Sequence, residues 1–311
     1  METVQGISQF NSSINTAITI GTFDGVHIGH KQLLKRLINN AKKNGLKSVV
    51  LTFFPHPRMV LQKDAGIKLL NTVEEKKKIL QEMGLDYLVI HPFTKEFSRL
   101  SALEFVRDVL VNQLKVKNIV IGYDHRFGRN RNASIQDLVA FGNDFEFLVE
   151  EIPAQEIDDI SVSSTKIRKA LEQGEIQTAN SYLGYRYVLN GTIIRGKGLG
   201  KDLGFPTANI NIEEEYKLIP QNGVYIVSCE IEGQVLSGMM NIGMNPTVNG
   251  VSRSIEVHLF DIDKDLYGKR IQVQFLKKIR VEQKFESLLE LSKQLEKDKQ
   301  FALEFLENEK P

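Results

Sequence analysis

His27 and His30 lie in the string Ile20-Gly21-Thr22-Phe23-Asp24-Gly25-Val26-His27-Ile28-Gly29-His30, and imidazoles three residues apart beside glycines suit phosphate chemistry. The apolar run Ala17 to Ile20 ends at the turn formers Gly21 and Gly25, and from His30 onward Leu33, Leu34, Leu37 and Ile38 recur at helical spacing. The pattern predicts strand, loop and helix. At such a junction the helix N-terminus offers unpaired N–H groups and the positive end of its macrodipole to an anion. Two imidazoles facing that point can donate hydrogen bonds to triphosphate oxygens, and Gly29 between them lets a ligand approach the backbone. A His-x-x-His pair can also ligate metal. Either ring can equally be an ordinary core or surface histidine; the glycines and the strand-to-helix context favour phosphate.

Two further stretches carry chemistry. Val162-Ser163-Ser164-Thr165-Lys166-Ile167-Arg168 places hydroxyls at a helix start, with cations just inside. It reads either as an ordinary cap with a wet face or as a second anion site. The run from Arg195 to Asn209 interleaves Gly196, Gly198, Gly200 and Gly204 with Arg195, Lys197 and Lys201 and closes on Phe205-Pro206-Thr207-Ala208-Asn209. Such a loop can wrap a polyphosphate with backbone N–H groups, while the Thr207 hydroxyl and Asn209 carbonyl are hard oxygen ligands suited to Mg²⁺. A flexible surface loop is the plainer alternative. Glu256, alternating with Ile255 and Val257, is by period alone one polar residue on a strand.

The elements that must position these residues fall into two grammars. Up to about Leu183, strand and helix alternate: the strand Leu46 to Phe54 ends at Pro55-His56-Pro57, a capping-box helix opens at Thr72, a strand runs Tyr87 to Ile90, a helix is capped by Ser101, and a strand runs Asn118 to Ile121. A helix from about Ser134 to Phe141, a strand from Phe145 to Val149 and a helix running to Gly174 follow. This predicts an α/β fold, a doubly wound parallel sheet whose crevice lies at the carboxyl ends of the strands. His56 and the segment Gly122 to Gly128, with Asp124 and His125, fall at such ends. From Tyr187 to Val281 short β-rich runs are separated by glycine and asparagine, which predicts a small closed barrel. The tail from Glu282 to Glu307 is amphipathic and predicts a helical cover. We expect a domain spanning residues 1–183 and a second spanning 184–311.

A chain of 311 residues with 41% hydrophobic content can bury large cores. Its formal net charge of +1 argues against bulk attraction to nucleic acid or an anionic membrane. Cys229 is the one cysteine, so no internal disulfide is possible, and its place in an apolar run suits a buried thiol. No apolar run resembles a signal peptide or is long enough to cross a bilayer, so a cytoplasmic protein is expected.

The string Gly21 to His30 resembles the His-x-Gly-His signature of the nucleotidylyltransferase superfamily and, in its fuller form, the opening motif of bacterial bifunctional riboflavin kinase/FAD synthetases. Ser163 to Arg168 resembles the Ser-Ser-Thr-x-Ile-Arg element of the FAD synthetase module, and Gly204 to Asn209 the Pro-Thr-Ala-Asn motif of riboflavin kinases. Gly223-Val224-Tyr225, Asn241 to Thr247, Glu256-Val257-His258-Leu259, Asp265 to Gly268 and Phe275 to Arg280 extend the resemblance over nearly the whole chain. It implies an N-terminal nucleotidylyltransferase-like FMN adenylyltransferase domain and a C-terminal kinase barrel, acting on riboflavin, FMN, FAD and ATP. It further implies Glu256 as the base for phosphorylation, Thr207 and Asn209 on Mg²⁺ supplied with ATP rather than permanently bound, and the loop Gly196 to Gly204 with Pro206 over the phosphates. His27 and His30 would stabilise the adenylylation transition state. Gly21, Phe23, Asp24, Gly25, Gly29, Asp124, Ser164, Thr165 and Arg168 would hold nucleotide or phosphate, and His56, Asn209 and Arg280 would meet flavin. The family pattern has an acidic residue at Phe54 and an aromatic at His125, so neither position is given a role.

Overall fold

Every residue of β2 (Thr16–Ile20) is buried, as a strand at the centre of a parallel sheet must be. In the computed structural model, which describes residues 1–62, 66–123, 125–153, 162–196, 200, 203–247, 250–260, 262 and 264–309, β2 pairs in parallel with β3 (Lys47–Phe53) on one side and β5 (Val116–Gly122) on the other. The sheet is completed by β1 (Glu2–Gln5), β4 (Tyr87–His91) and β6 (Leu148–Ile152), in the order β1-β4-β3-β2-β5-β6. The chain therefore proceeds outward from β2 through β3 and β4, then returns to start β5 on the other side. The resulting switch point, between β2 and β5, is where open α/β sheets bind ligands.

Side-chain alternation sends Ile18, Ile20, Val49 and Leu51 to one face and Ala17 and Val50 to the other, each face with its own hydrophobic cluster. The second face is covered by Leu33, Leu34, Leu37 and Ile38 of α1 (Ile28–Lys43) and Leu80 of α3 (Val73–Glu82). The first is covered by Phe105, Val106, Val109 and Leu110 and by Ile135 and Leu138 of α5 (Ile135–Phe145). Between α3 and α5, α4 (Ala102–Glu104) opens with a capping box on Ser101 and continues as a π-helix over Phe105–Gln113. The five-residue α2 (Pro57–Leu61) follows β3. The strand expected at Phe145 to Val149 starts three residues later, at Leu148. The helix runs on to Phe145, Glu146 takes a left-handed cap (φ 59°), and β6 begins at Leu148. A Ser134–Asp137 capping box sets the helical phase, and Phe141 and Phe145 stay in ring contact four residues apart. The short β1 was not foreseen.

The contacts divide the chain into two compact units, Met1–Ser164 and Thr165–Pro311. In the second unit, β7 (Val188–Ile194), β8 (Ala208–Asn211), β9 (Gly223–Ile231), β10 (Gln234–Thr247), β11 (Gly250–Leu259) and β12 (Arg270–Arg280) form an antiparallel closed barrel in the order β10-β11-β8-β7-β12-β9. Tyr187, Tyr225, Cys229 and Phe275 are fully buried, and burial pushes the Cys229 thiol up to about 12, so it stays a thiol. Two helices, α6 (Ser164–Glu172) and α7 (Ile176–Leu183), lead into the barrel. Asn180 of α7 clamps two backbone points: its Nδ2 donates to the Phe275 carbonyl (2.9 Å) and its Oδ1 accepts from Tyr187 N–H (2.7 Å). The tail is one helix, α8 (Leu288–Asn308), capped by Ser287. Its Leu295, Ala302, Phe305 and Leu306 share a cluster with Leu203, Phe205, Phe260, Leu276 and Ile279.

Candidate active sites

The first site is the turn between β2 and α1. Phe23 and Val26 have positive φ (45° and 33°), conformations an L-residue adopts only when its surroundings over-determine them, while Gly25 (87°) adopts one freely. Asp24 supplies much of that constraint. Its buried carboxylate accepts from Leu70 N–H (2.9 Å) and Asn71 N–H (3.3 Å), and its carbonyl accepts from Ser164 Oγ (2.8 Å). Below the turn, Lys76 of α3 donates its buried Nζ to the Thr22 carbonyl (2.6 Å), which Thr52 Oγ1 also reaches (3.2 Å). Burial holds the Lys76 ammonium down to about 8, against the opposing pull of Asp24.

His27 is the N-cap of α1, and its Nδ1 accepts from His30 N–H (3.3 Å). In the neutral ring the proton must therefore sit on Nε2, which leaves a donor for a ligand. The two imidazoles stack with centroids 3.6 Å apart at 17°, and Phe23 meets His30 edge-on at 5.1 Å. Burial lowers His27 to about 4 despite Asp24; burial first, then His27 and Lys76, hold His30 well below its usual value. Both rings are thus neutral donors near pH 7. His30 Nδ1 is buried and finds no hydrogen-bond partner among the described residues, unspent capacity at a helix N-terminus. His56 caps α2 by accepting Arg58 N–H on Nδ1 (3.1 Å). His125 stacks on Phe127 at 6.3 Å. Phe54 packs at the edge of the α1-side cluster. Thr165 and Arg168 belong to α6 in the second unit, while Asp124, Lys197 and Gly198 lie outside the described residues.

The second site is built where β8 meets β11. Pairing of Glu256 with Asn209 and of Val257 with Ala208 brings Thr207, just before β8, to Glu256, whose Oε2 accepts from Thr207 Oγ1 (3.2 Å). The glycine loop closes on the same point. A Cβ at Gly196 would stand 1.9 Å from Asn209 Nδ2 and one at Gly200 2.2 Å from the Phe205 carbonyl, so only glycine permits both approaches. Phe205 N–H and Leu203 N–H donate to the Gly200 carbonyl (2.9 and 3.2 Å), and Gly204 takes positive φ (79°). A hydroxyl and an amide carbonyl two residues apart, with a carboxylate on the paired strand, are hard-oxygen groups of the kind that fits Mg²⁺. Arg280 pairs with buried Asp298 of α8: Nε donates to Oδ2 (2.9 Å) and Nη2 to the same oxygen (2.8 Å), and Gln294 Nε2 donates to Oδ1 (2.8 Å).

Sequence reasoning missed Lys76, His258 and Asp298. Lys76 follows a capping box and reads as a solvated helix residue, Asp298 lies in a charged tail, and only His258 sat in a quoted motif.

A parallel sheet with a histidine pair at its switch point, followed by a closed barrel in which Thr207 meets Glu256, marks a class of two-module proteins that handle nucleotide phosphates. Comparison with known proteins narrows that class. The family model described as FAD synthetase matches residues 9–166 and the one described as riboflavin kinase matches residues 183–306. A protein of Listeria monocytogenes named bifunctional riboflavin kinase/FMN adenylyltransferase is 38% identical over 93% of this chain and 92% of its own; one of the same name from Escherichia coli K12 is 37% identical over 100% of both. A solved Streptococcus pneumoniae structure described as a macrolide-efflux protein superposes with TM-score 0.88 at 30% identity, covering 96% of this chain and 98% of its own. Among the described residues no helix is long and apolar enough to cross a membrane. The chain belongs to the bifunctional riboflavin kinase/FMN adenylyltransferase family.

Proposed function

We propose that the barrel transfers the γ-phosphoryl group of ATP to the terminal hydroxyl of riboflavin, giving FMN and ADP, and that the first unit joins FMN to the α-phosphorus of a second ATP, giving FAD and pyrophosphate. The observation that carries the first assignment is the Glu256–Thr207 contact opposite Asn209. Glu256 takes the hydroxyl proton as the new O–P bond forms and the bond to ADP breaks. Thr207 and Asn209 are the residues to hold Mg²⁺, which when bound neutralises phosphate charge. Gly196 to Gly204 and Pro206 cover the phosphates, and Arg280, set by Asp298, serves the flavin side.

In the adenylylation step an FMN phosphate oxygen is already nucleophilic, so no strong base is needed and placement dominates. Neutral His27 and His30 donate to phosphate oxygens as the bond to pyrophosphate breaks. Asp24 acts by holding the turn, while Gly21, Phe23, Gly25 and Gly29 shape it. Ser164, Thr165, Arg168 and Asp124 contact nucleotide or phosphate and His56 faces flavin; these roles rest on the resemblance. A cytoplasmic setting, riboflavin, FMN, FAD and ATP as small-molecule partners, and no nucleic acid or membrane partner complete the reading.

The two chemistries separate by substitution. Glu256→Gln is expected to stop riboflavin phosphorylation while added FMN is still converted to FAD; His30→Ala is expected to do the converse, so that FMN accumulates. A base or transition-state donor accounts for about two to four powers of ten in rate, plain in an endpoint assay. Loss of both activities from either folded variant would overturn the two-site reading.

A further inference from the structure

The β8–β11 ladder stops one residue short of Thr207. Val257 pairs with Ala208; the next residue outward on β11 is His258, and on the segment entering β8 Thr207 is preceded by Pro206, which has no N–H to continue a ladder. His258 Nδ1 lies 2.9 Å from the Pro206 carbonyl. A carbonyl only accepts, so the ring carries its proton on Nδ1 and donates it. The ring is buried and wedged edge-on between Phe205 (5.2 Å) and Phe260 (5.7 Å). The side chain thus closes the open end of the ladder, and it does so on the residue before Thr207.

We propose that His258 is a positioning residue for phosphoryl transfer: its Nδ1–H fixes the Pro206 carbonyl and so sets the Thr207 hydroxyl against Glu256. The proposal rests on the assignment of phosphorylation to Glu256 and Thr207. Without the donor the peptide after Pro206 can rotate, and displacement of about 1 Å at a reacting centre costs on the order of a hundredfold in rate. The ring's packing between two phenylalanines is a separate contribution, to stability alone.

Side-chain geometry separates the two. The amide nitrogen of asparagine is attached at Cγ, as Nδ1 is in histidine; that of glutamine lies one atom farther out, nearer the place of Nε2. All three of His258→Asn, His258→Gln and His258→Leu remove the ring from between Phe205 and Phe260, so all three should lower the melting temperature of the full chain by similar amounts. Riboflavin phosphorylation should divide them: His258→Asn within a few-fold of wild type, His258→Gln and His258→Leu reduced roughly ten- to hundredfold in kcat/KM for Mg-ATP. FMN-to-FAD conversion should be unchanged in every variant. Equal loss in all three would reduce His258 to a packing residue, and wild-type rates in His258→Leu would also overturn the proposal. Glu256→Gln is run in parallel. If it is inactive while His258→Leu is normal, the positioning role alone falls; if it still phosphorylates riboflavin, the site reading falls and the positioning role with it.

Discussion

The histidine pair shows how one local decision sets both cap and chemistry. His27 uses Nδ1 to cap α1, which commits its remaining proton to Nε2, and burial keeps the ring neutral down to about pH 4. Neutrality of a buried histidine has a thermodynamic signature. The unfolded ring takes up a proton near its ordinary value of about 6.5, whereas the folded ring refuses it until about 4. The unfolded state therefore binds more protons in that window, and the stability that is complete above pH 6.5 is lost as pH falls toward 4. His27→Asn keeps a capping acceptor in the place of Nδ1 but does not titrate. Thermal melts of the variant between pH 4 and 7 should show a shallower decline than wild type, with His30 still contributing in the same direction; an unchanged slope would mean that His27 is protonated in the folded state. His27 and His30 could be singled out in the sequence because the cap and the ring stack that join them span only three residues. Lys76 was not, because its contact with the Thr22 carbonyl spans a strand and two helices, and a lysine in a first helical turn looks like any solvated one.

Among the elements, α8 has the most consequential anchor. Arg280 at the end of β12 and Asp298 in the middle of α8 form a bidentate pair with the carboxylate 2% exposed, and the same helix packs Leu295, Ala302 and Phe305 beside Leu203 and Phe205 of the glycine loop. Asp298→Ala would leave the guanidinium part-buried and uncompensated, at a cost of about 3–5 kcal/mol. The expected outcome is a lower melting temperature and heat-labile riboflavin phosphorylation, with adenylylation spared. The double change Arg280→Met with Asp298→Leu should recover most of the loss, since apolar packing replaces a buried ion pair at little cost; a double variant as unstable as the single would show that the pair has a role beyond its charge balance. The amphipathic tail announced a helix. It did not announce which acidic residue would turn inward, because Asp298 is surrounded in sequence by charges of both signs. Likewise Glu256 reads as any polar strand residue until the β8–β11 register puts Thr207 beside it, and register across 49 positions is not a local property. The strand expected from Phe145 begins instead at Leu148 for a related reason: a short apolar run fits helix or strand, and the helix capped at Ser134 runs on to Phe145.

On the scale of the whole molecule, the change from alternating helix and strand to short β runs falls at Leu183-Gly184, while the contacts divide the chain at Ser164. The two helices between these points, α6 and α7, are held to the barrel by Asn180 and by the Gln221 N–H bond to the Leu171 carbonyl (2.9 Å). A fragment spanning residues 165–311 should therefore melt at a higher temperature than one spanning 184–311, which lacks both attachments, and each should be compared for riboflavin phosphorylation. Equal melting temperatures would mean that α6 and α7 add nothing to the barrel.

The order of strands in the first unit also governs how the chain meets the ribosome. β1 leaves first, yet its ladder partner is β4, with Glu2 opposite Tyr87, and β2, β3 and β4 must all be made before the pairing exists. At roughly 5–20 residues per second, the first strand spends seconds as an unpaired ribbon, and β4 presents an open edge until that ribbon returns. In the barrel the same wait falls on β7 and β9, which both need β12 as a neighbour, but once that strand is made closure leaves no edge at all. Until β1 returns, the open border of the first module is β4; afterwards it is the four-residue β1 itself, an edge too short to recruit a neighbour readily.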